Sequence, residues 1–450
     1  MNLEQIHNVY FIGIGGIGMS ALARYFKFVN KNVAGYDKTR TTITEALEEM
    51  GIDVSTEDNI SKVATEFLDK DKTIIIYTPA IPSSHAELTY FRENGFTIYK
   101  RAQVLGLITK DTYCLAVAGT HGKTTTSSIL GHLLAESGVE VTAFLGGIAE
   151  NYQSNLILKG NKITVVEADE FDRSFLQLSP NIACITSVDA DHLDIYGEKE
   201  VLQDSFVAFT KRLKSGGELL VQEDIQLQGI KYGFDDAVDY QVQNIRIQNG
   251  TYIIDIKTPS EIVKDIRFNL PGRHNLLNGL VAFAMAEKIG TPTDRLAKAM
   301  ETFKGVQRRF SYQIKTTNFV FIDDYAHHPT EINALHQAVR EMYPGKKVTI
   351  IFQPHLFSRT KDFADEFAES LSQFDEIILL EIYPAREEPV EGITSSWLLN
   401  KIHNEKKQLL TKNKLIEQVA HLSTDVLLTV GAGDIGAEVK KIKKVLAIEN

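Results

Sequence analysis

The sequence predicts an α/β protein of about three domains, each built on a largely parallel sheet with helices on both faces. Three observations predict it. Short apolar runs, such as those at 9–12, 113–117 and 348–352, alternate along the chain with stretches of helical period. Several of these runs lead straight into glycine-bearing turns that precede a helix, as at Gly13–Gly18 and Gly119–Gly122. Finally, 450 residues with 43% apolar content can bury several cores. The net charge of -11, with no block of Lys and Arg, argues against a nucleic-acid or lipid-surface footprint and points to small-molecule partners. Cys114 and Cys184 both lie in apolar runs, which suggests neither a disulfide scaffold nor a thiolate metal site. The first eight residues lack the basic start and apolar core of a signal peptide, and no run approaches membrane-span length. A cytoplasmic location without membrane insertion is the expectation.

The most informative stretch is Ala118-Gly119-Thr120-His121-Gly122-Lys123-Thr124-Thr125-Thr126, placed between an apolar strand and a helical pattern over 127–135. Glycines let the backbone curl so that consecutive N–H groups and a helix N-terminus face an anion. Lys123 then reaches the terminal phosphates, and the hydroxyl of Thr124 or Thr125 holds magnesium. The implied ligand is ATP. The usual phosphate-loop spacing wants glycine where Val117 stands, so the loop is a shorter variant.

The first block opens with a strand at 9–12 running into Gly13-Ile14-Gly15-Gly16-Ile17-Gly18, then a helix over about 19–29 and a strand ending at Asp37. Gly15, Gly16 and Gly18, with Ile17 between them, suit a tight turn, close approach of a diphosphate and helix packing, and Asp37 stands where an acid bonds a ribose. A strand at 74–77 leads to a loop starting at Thr78, expected at the same sheet edge.

The second block follows the ATP loop with a strand at 163–166 ending in Glu167-Ala168-Asp169-Glu170-Phe171-Asp172, and a strand at 182–188 ending in Asp189-Ala190-Asp191-His192-Leu193-Asp194. In an open α/β sheet the C-terminal strand ends share one edge with the phosphate loop. Glu167 and His192 can therefore meet the same nucleotide, and hard oxygen ligands suit magnesium. For Asp172 and Asp194, turn or cap roles are favoured. Residues 214–269 read as hairpins extending this domain. Asn275 and Asn278, three apart near the start of a helix over about 271–289, share a face where amides can serve a nucleotide or simply cap.

A hinge is expected at 305–310, where Arg309 could clamp a phosphate. The third block offers three strand ends rich in anion- or amine-binding groups. They are Asp323-Asp324-Tyr325-Ala326-His327-His328-Pro329-Thr330-Glu331, Gln353-Pro354-His355-Leu356-Phe357-Ser358-Arg359-Thr360, and Gly431-Ala432-Gly433-Asp434. His327 is preferred over His328, with a cap or core role expected for one of the pair.

Taken together, GIGGIGMSALA at 13–23, AGTHGKTTT at 118–126, EADEFDRSF at 167–175, DADHLD at 189–194, GRHNLLN at 272–278, DDYAHHPTE at 323–331 and FQPHLFSRT at 352–360 resemble the Mur ligase family. The GTHGKT form marks its ATP-dependent amide ligases, and the histidine in that loop, the GIGGIGMS start, DADH and DDYAHHP together resemble the alanine-adding branch. The resemblance implies three domains: a Rossmann-like N-terminal domain (1–105) for the UDP-sugar, a central P-loop ATPase α/β domain (106–306), and a Rossmann-like C-terminal domain (307–450) on the amino-acid side that closes over the site.

By motif match, Gly119, Thr120, His121, Gly122 and Lys123 would bind ATP. Thr124 or Thr125, Glu167 and His192 would surround Mg2+. His274, Asn275 and Asn278 would serve the nucleotide, with Arg309 and Asp324 reaching it from across the hinge, and Tyr325, His327, His355 and Arg359 would form the amino-acid region. Leu356 stands where other members can carry arginine, which places more of the alanine carboxylate on Arg359. The carbamylated lysine of sister ligases has no clear counterpart between His192 and Phe209. The activity implied is ATP-dependent joining of L-alanine to the lactyl carboxylate of UDP-N-acetylmuramate through an acyl phosphate, with His327 or His192 taking the amine proton. A ligase that recycles murein tripeptide shares most of these motifs. A nicotinamide oxidoreductase using Gly13–Gly18 and Asp37, or a nucleotide-gated binding module, are the readings from other classes. Monomer and homodimer both remain open.

Overall fold

The computed structural model describes residues 6–189, 199–248, 250–385 and 387–449. The chain divides into two compact units. One comprises Met1–Ile245, Ile254–Arg267 and Leu277–Lys304, and the other Arg246–Ile253, Phe268–Leu276 and Gly305–Asn450.

The first unit opens with β1 (Asn8–Ile12), α1 (Ile17–Phe28), β2 (Asn32–Tyr36), α2 (Thr42–Glu49), β3 (Asp53–Ser55), β4 (Thr73–Tyr77), α3 (Ala86–Glu93), β5 (Thr97–Lys100) and α4 (Arg101–Asp111). Its five strands run parallel in the order β3-β2-β1-β4-β5. β1 is buried at every position, as a strand covered on both faces must be. The strand order reverses at β1, so a crevice opens beyond its C-terminal end, where the glycine turn begins. Asp58 caps α3 from a distance, accepting from the Ala86 and Glu87 N–H groups at 2.8 and 3.0 Å. Behind that cap the fully buried Glu87 accepts from the Tyr10 hydroxyl at 3.0 Å, and burial pushes its carboxyl up to about 7.

The chain continues through β6 (Tyr113–Ala118), α5 (Lys123–Glu136), β7 (Val141–Ala149), β8 (Ser154–Leu158), β9 (Ile163–Ala168) and β10 (Ile182–Ile185). β11 (Glu218–Gln222), β12 (Ile230–Gly233), β13 (Tyr240–Gln248), β14 (Thr251–Lys257) and β15 (Ile262–Phe268) follow. The sheet order is β15-β14-β13-β12-β11-β10-β6-β9-β7-β8. The hairpins expected over 214–269 are corrected for its first half: β11 pairs parallel with β10, β12 with β11, and β13 with β12. β10 also ends earlier than the apolar run suggested, because Thr186 and Ser187 turn their backbones onto the loop after β6. One hydrophobic cluster joins Phe11 and Leu22 through Val104 and Ile108 of α4 to Ala116 and Val166. Asn155 on β8 donates to Ser20 Oγ at 2.8 Å and to the Ile17 carbonyl, fixing the first turn of α1.

The second unit carries β16 (Ser311–Lys315), β17 (Val320–Asp324), β18 (Val348–Phe352), β19 (Glu376–Leu379), β20 (Lys407–Leu409) and β21 (Val426–Val430), in the order β16-β17-β21-β18-β19-β20. β16 alone among these is antiparallel. Its two apolar faces are covered separately, one around Ile322, Ile350 and Leu428 and the other around Phe321, Ile351 and Leu427. Among the described residues no helix is long and apolar enough to cross a membrane.

Candidate active site

At the end of β6 the chain makes the turn that the glycines foretold. Gly119 has φ +137° and lies so close to Thr186 that a Cβ would stand 2.1 Å from its Oγ1. Gly122, at φ +82°, precedes α5 in the left-handed region that L side chains rarely adopt. The loop is braced by the end of β10. The Thr120 N–H donates to the Ser187 carbonyl at 3.1 Å, the Thr120 and Ser187 hydroxyls meet at 2.9 Å, and the His121 N–H donates to Ser187 Oγ at 2.8 Å. The Asp189 N–H donates to Thr120 Oγ1 at 3.0 Å, and His121 Nε2 is 3.4 Å from Asp189 Oδ2. Thr186 and Ser187 are supports that sequence reasoning missed, because nothing local distinguishes them from strand residues.

α5 starts at Lys123, so its first N–H groups and dipole face the loop mouth. The Thr124 hydroxyl donates to Glu167 at 3.0 and 2.9 Å from the two carboxylate oxygens, whereas Thr125 is buried. Of the two threonines, Thr124 therefore faces the carboxylate. Gly146 on β7 lies against Glu167, where a Cβ would stand 2.1 Å from Oε2. Lys123 Nζ donates to the Gly119 carbonyl at 2.6 Å, to the Thr120 carbonyl at 3.2 Å and to Glu170 at 2.8 Å. Burial alone lowers its pKa, but Glu170, Asp169 and Glu167 hold it above the ordinary lysine value. Asn278 Oδ1 accepts from the Thr126 hydroxyl at 3.1 Å and lies beside Gly122. His192 lies outside the described residues, as do Asp191 and Asp194; the Asp172 side chain is likewise not described.

A second cradle follows β1. Asp37 Oδ2 accepts from the Gly15 N–H at 2.8 Å and Oδ1 from the Thr39 N–H at 3.0 Å, so the acid expected at a ribose closes the glycine turn in this structure. Gly13, at φ +89°, backs onto Thr78, where a Cβ would stand 2.7 Å from Cγ2. Gly16 precedes α1, whose first residue is Ile17. A Cβ on Gly18 would come within 2.9 Å of Arg101 Nη1, a cation at this turn that sequence reasoning missed because it comes from α4.

The second unit gathers its own groups at the C-terminal ends of β17 and β18. Asp324 accepts from the Phe310 N–H at 2.6 Å and the Ala326 N–H at 2.8 Å, and burial pushes its carboxyl up to about 6. Arg309 lies 5.1 Å from the Tyr325 ring centre and 3.7 Å from Glu331 Oε1. His327 Nδ1 is 2.9 Å from the Tyr325 carbonyl and 3.3 Å from Glu331 Oε2, and burial lowers its pKa. His328 instead caps the helix Pro329–Met342, which leaves His327 as the histidine of the pair in the cluster.

The His327 and His355 rings are 6.0 Å apart, and His355 stacks on Tyr383. Burial, with His327 and Arg359 nearby, pushes His355 down to about 4. Arg359 Nη1 is 3.5 Å from His355 Nδ1. Leu356 has φ +70°. Glu387 accepts from the Phe357 and Ser358 N–H groups at 2.6 and 3.0 Å, holding the loop that carries Arg359. Tyr383 and Glu387 were not foreseen, and Glu331, part of the loop singled out in the sequence, had been given no role of its own. Asn275 donates to the Pro271 carbonyl at 2.6 Å at the start of the helix Arg273–Lys288, whose first turn also holds His274.

A largely parallel sheet with a lysine-bearing glycine loop, a threonine–carboxylate pair at its mouth and a further glycine cradle define a phosphate-loop α/β protein. Residues 8–113 match the Mur ligase family catalytic domain, 117–286 the Mur ligase middle domain and 308–433 the Mur ligase glutamate ligase domain. The UDP-N-acetylmuramate–L-alanine ligase of Flavobacterium psychrophilum is 62% identical over 446 residues, 99% of each chain. That of Cytophaga hutchinsonii is 49% identical, covering 98% of this chain and 97% of the relative. The crystal structure of the UDP-N-acetylmuramate–alanine ligase of Thermotoga maritima superposes with a TM-score of 0.81 at 28% identity, covering 98% of this chain and 100% of that one. The chain belongs to the Mur ligase family, and its α/β fold with three sheets is the three-domain fold of that family.

Proposed function

We propose that this protein is a UDP-N-acetylmuramate–L-alanine ligase, consuming ATP to make a peptidoglycan precursor, with domains at 1–105, 106–306 and 307–450. The observation that carries the site is the Thr124 hydroxyl 2.9 Å from Glu167 Oε2, at the mouth of a loop that also holds Lys123. The substrate assignment is supported by relatives of that name that match essentially the whole chain.

A carboxylate is a poor acylating agent at neutral pH. A lactyl carboxylate oxygen attacks the γ-phosphorus of ATP, the bond from that phosphorus to the β,γ-bridging oxygen breaks, and ADP leaves. The neutral amine of alanine then attacks the acyl carbon. The carbon–oxygen bond to phosphate breaks, and the amine proton passes to a base, for which His327 or His192 is our assignment. Bringing two polyanions together calls for charge neutralisation and in-line positioning, which we assign to Lys123 and Arg309. A hydroxyl and a carboxylate are hard oxygen donors that fit Mg2+, so Thr124 and Glu167, with His192, would hold it; when bound it supplies charge neutralisation at the phosphates.

We assign Gly119, Thr120, His121 and Gly122 to the phosphates, and Asn278, His274, Asn275 and Asp324 to the nucleotide side. Gly15, Gly16, Ile17, Gly18, Asp37 and Thr78 are assigned to the UDP-sugar, and Tyr325, His355 and Arg359 to the amino acid. Phosphate release with UDP-N-acetylmuramate, measured across a panel of amino acids and the murein tripeptide, tests this reading. Release that depends on L-alanine supports it. Release with the tripeptide alone reassigns the protein to recycling, and NADH binding without release returns it to the oxidoreductase class.

A further inference from the structure

Lys123 is an ammonium with three N–H donors, and three groups of its own chain accept them: the Gly119 carbonyl at 2.6 Å, the Thr120 carbonyl at 3.2 Å and Glu170 at 2.8 Å. No donor is left over for a phosphate. The two carbonyls belong to the loop itself and travel with it. Glu170 comes from the turn after β9 and is 0% exposed, and both of its carboxylate oxygens lie 2.8 Å from Nζ. Its backbone is held by the Arg173 N–H, which donates to the Glu170 carbonyl at 2.8 Å. A buried carboxylate is tolerated only when compensated, and Lys123 is the cation that compensates it.

We infer that Glu170 is a positioning residue acting through Lys123: it is the stand-in anion that the terminal phosphates of the nucleotide must displace, and so it sets how tightly nucleotide binds. This rests on the reading of the loop as an ATP site. A phosphoryl oxygen reaching Nζ takes the donor that Glu170 holds, and the energy of breaking the buried pair is subtracted from nucleotide affinity.

The test is a set of nucleotide affinities for Glu170→Gln, which keeps shape and hydrogen-bonding capacity but removes the charge. ATP and ADP should bind roughly tenfold more tightly than to the unaltered protein. AMP, too short to reach Lys123, should bind unchanged, as should UDP-N-acetylmuramate. Unchanged or weaker ATP binding by a variant that still binds the UDP-sugar overturns the inference, and so does equal tightening toward AMP. Should the variant fail to fold, a structure of the unaltered protein with a non-hydrolysable ATP analogue decides. Displacement requires Nζ and the Glu170 carboxylate to separate beyond hydrogen-bond distance. A pair still at contact with phosphate bound to Lys123 sinks the inference alone, whereas an analogue bound away from the loop sinks the ATP reading beneath it.

Discussion

The Thr126 hydroxyl donates to Asn278 Oδ1 at 3.1 Å, across 152 positions of sequence, and the same amide oxygen lies where a Cβ on Gly122 would be, 2.6 Å away. One side chain thus ties the first turn of α5 to the helix Arg273–Lys288 and leaves no room for anything but glycine at the loop's last position. Gly122→Ala should cost about 1–3 kcal/mol through the φ of +82° and the contact, and turnover should fall with it. Adding Asn278→Ala removes the contact but not the backbone strain, so melting temperature should recover only in part. Full tolerance of alanine at 122 would show that the loop conformation is not the one described.

Lys123→Ala should lower turnover by roughly two to three orders of magnitude while leaving UDP-sugar affinity within about twofold, because we assign the two ligands to separate cradles. Calorimetric titration of UDP-N-acetylmuramate beside steady-state rates reads both. Equal loss of the two would break that division of labour. Glu167→Ala should raise the magnesium concentration needed for half-maximal rate, and an unchanged magnesium titration would remove Glu167 from the proposed metal site.

Glu87 makes stability depend on pH in an unusual direction. Its carboxyl titrates at about 7 in the fold against 4.5 ordinarily, with burial the main cause, so the unfolded chain loses its proton first as pH rises. Stability should therefore fall between about pH 4.5 and 7 by on the order of 2–3 kcal/mol, then level off. Denaturant unfolding of Glu87→Gln should lack that decline; an identical pH profile in the variant would contradict the burial argument.

His355 works in the opposite sense. Its pKa is pushed down to about 4, so below an ordinary value near 6.5 the unfolded chain takes up a proton that the fold refuses. Stability should fall as pH drops from about 6.5 to 4. Because the ring is only half-buried, about 1–2 kcal/mol is expected. His355→Asn should flatten the acid limb, and a limb unchanged by the substitution would assign the titration elsewhere.

The strands and glycine turns were legible because a strand buried on both faces is a continuous apolar run, and because a chain that must turn sharply at its end needs glycine there. That logic located β1, β6, β17, β18 and β21 and the cradles after β1 and β6. It failed over the first half of 214–269, where the hairpin signal at Asn249-Gly250 and the alternation over 252–257 were extended to the whole segment, yet β11 to β13 pair in parallel. It also could not reach groups that enter a site through tertiary adjacency. Arg101 comes to the first glycine turn from α4, and Ser187 comes to the phosphate loop from beyond β10. Glu387 reaches the Arg359 loop from past β19. Glu170 stood in plain view beside Glu167, but only its burial against Lys123 distinguishes it from a solvated acid. Asp37 is an acid at the expected position, and its carboxylate also accepts from the Gly15 N–H of the turn.

The acyl-phosphate route is tested most directly by oxygen transfer. With UDP-N-acetylmuramate carrying oxygen-18 in its lactyl carboxylate, ATP and L-alanine, the account predicts that the released inorganic phosphate contains one oxygen from that carboxylate. Phosphate free of label, formed while the amide product accumulates, would contradict it.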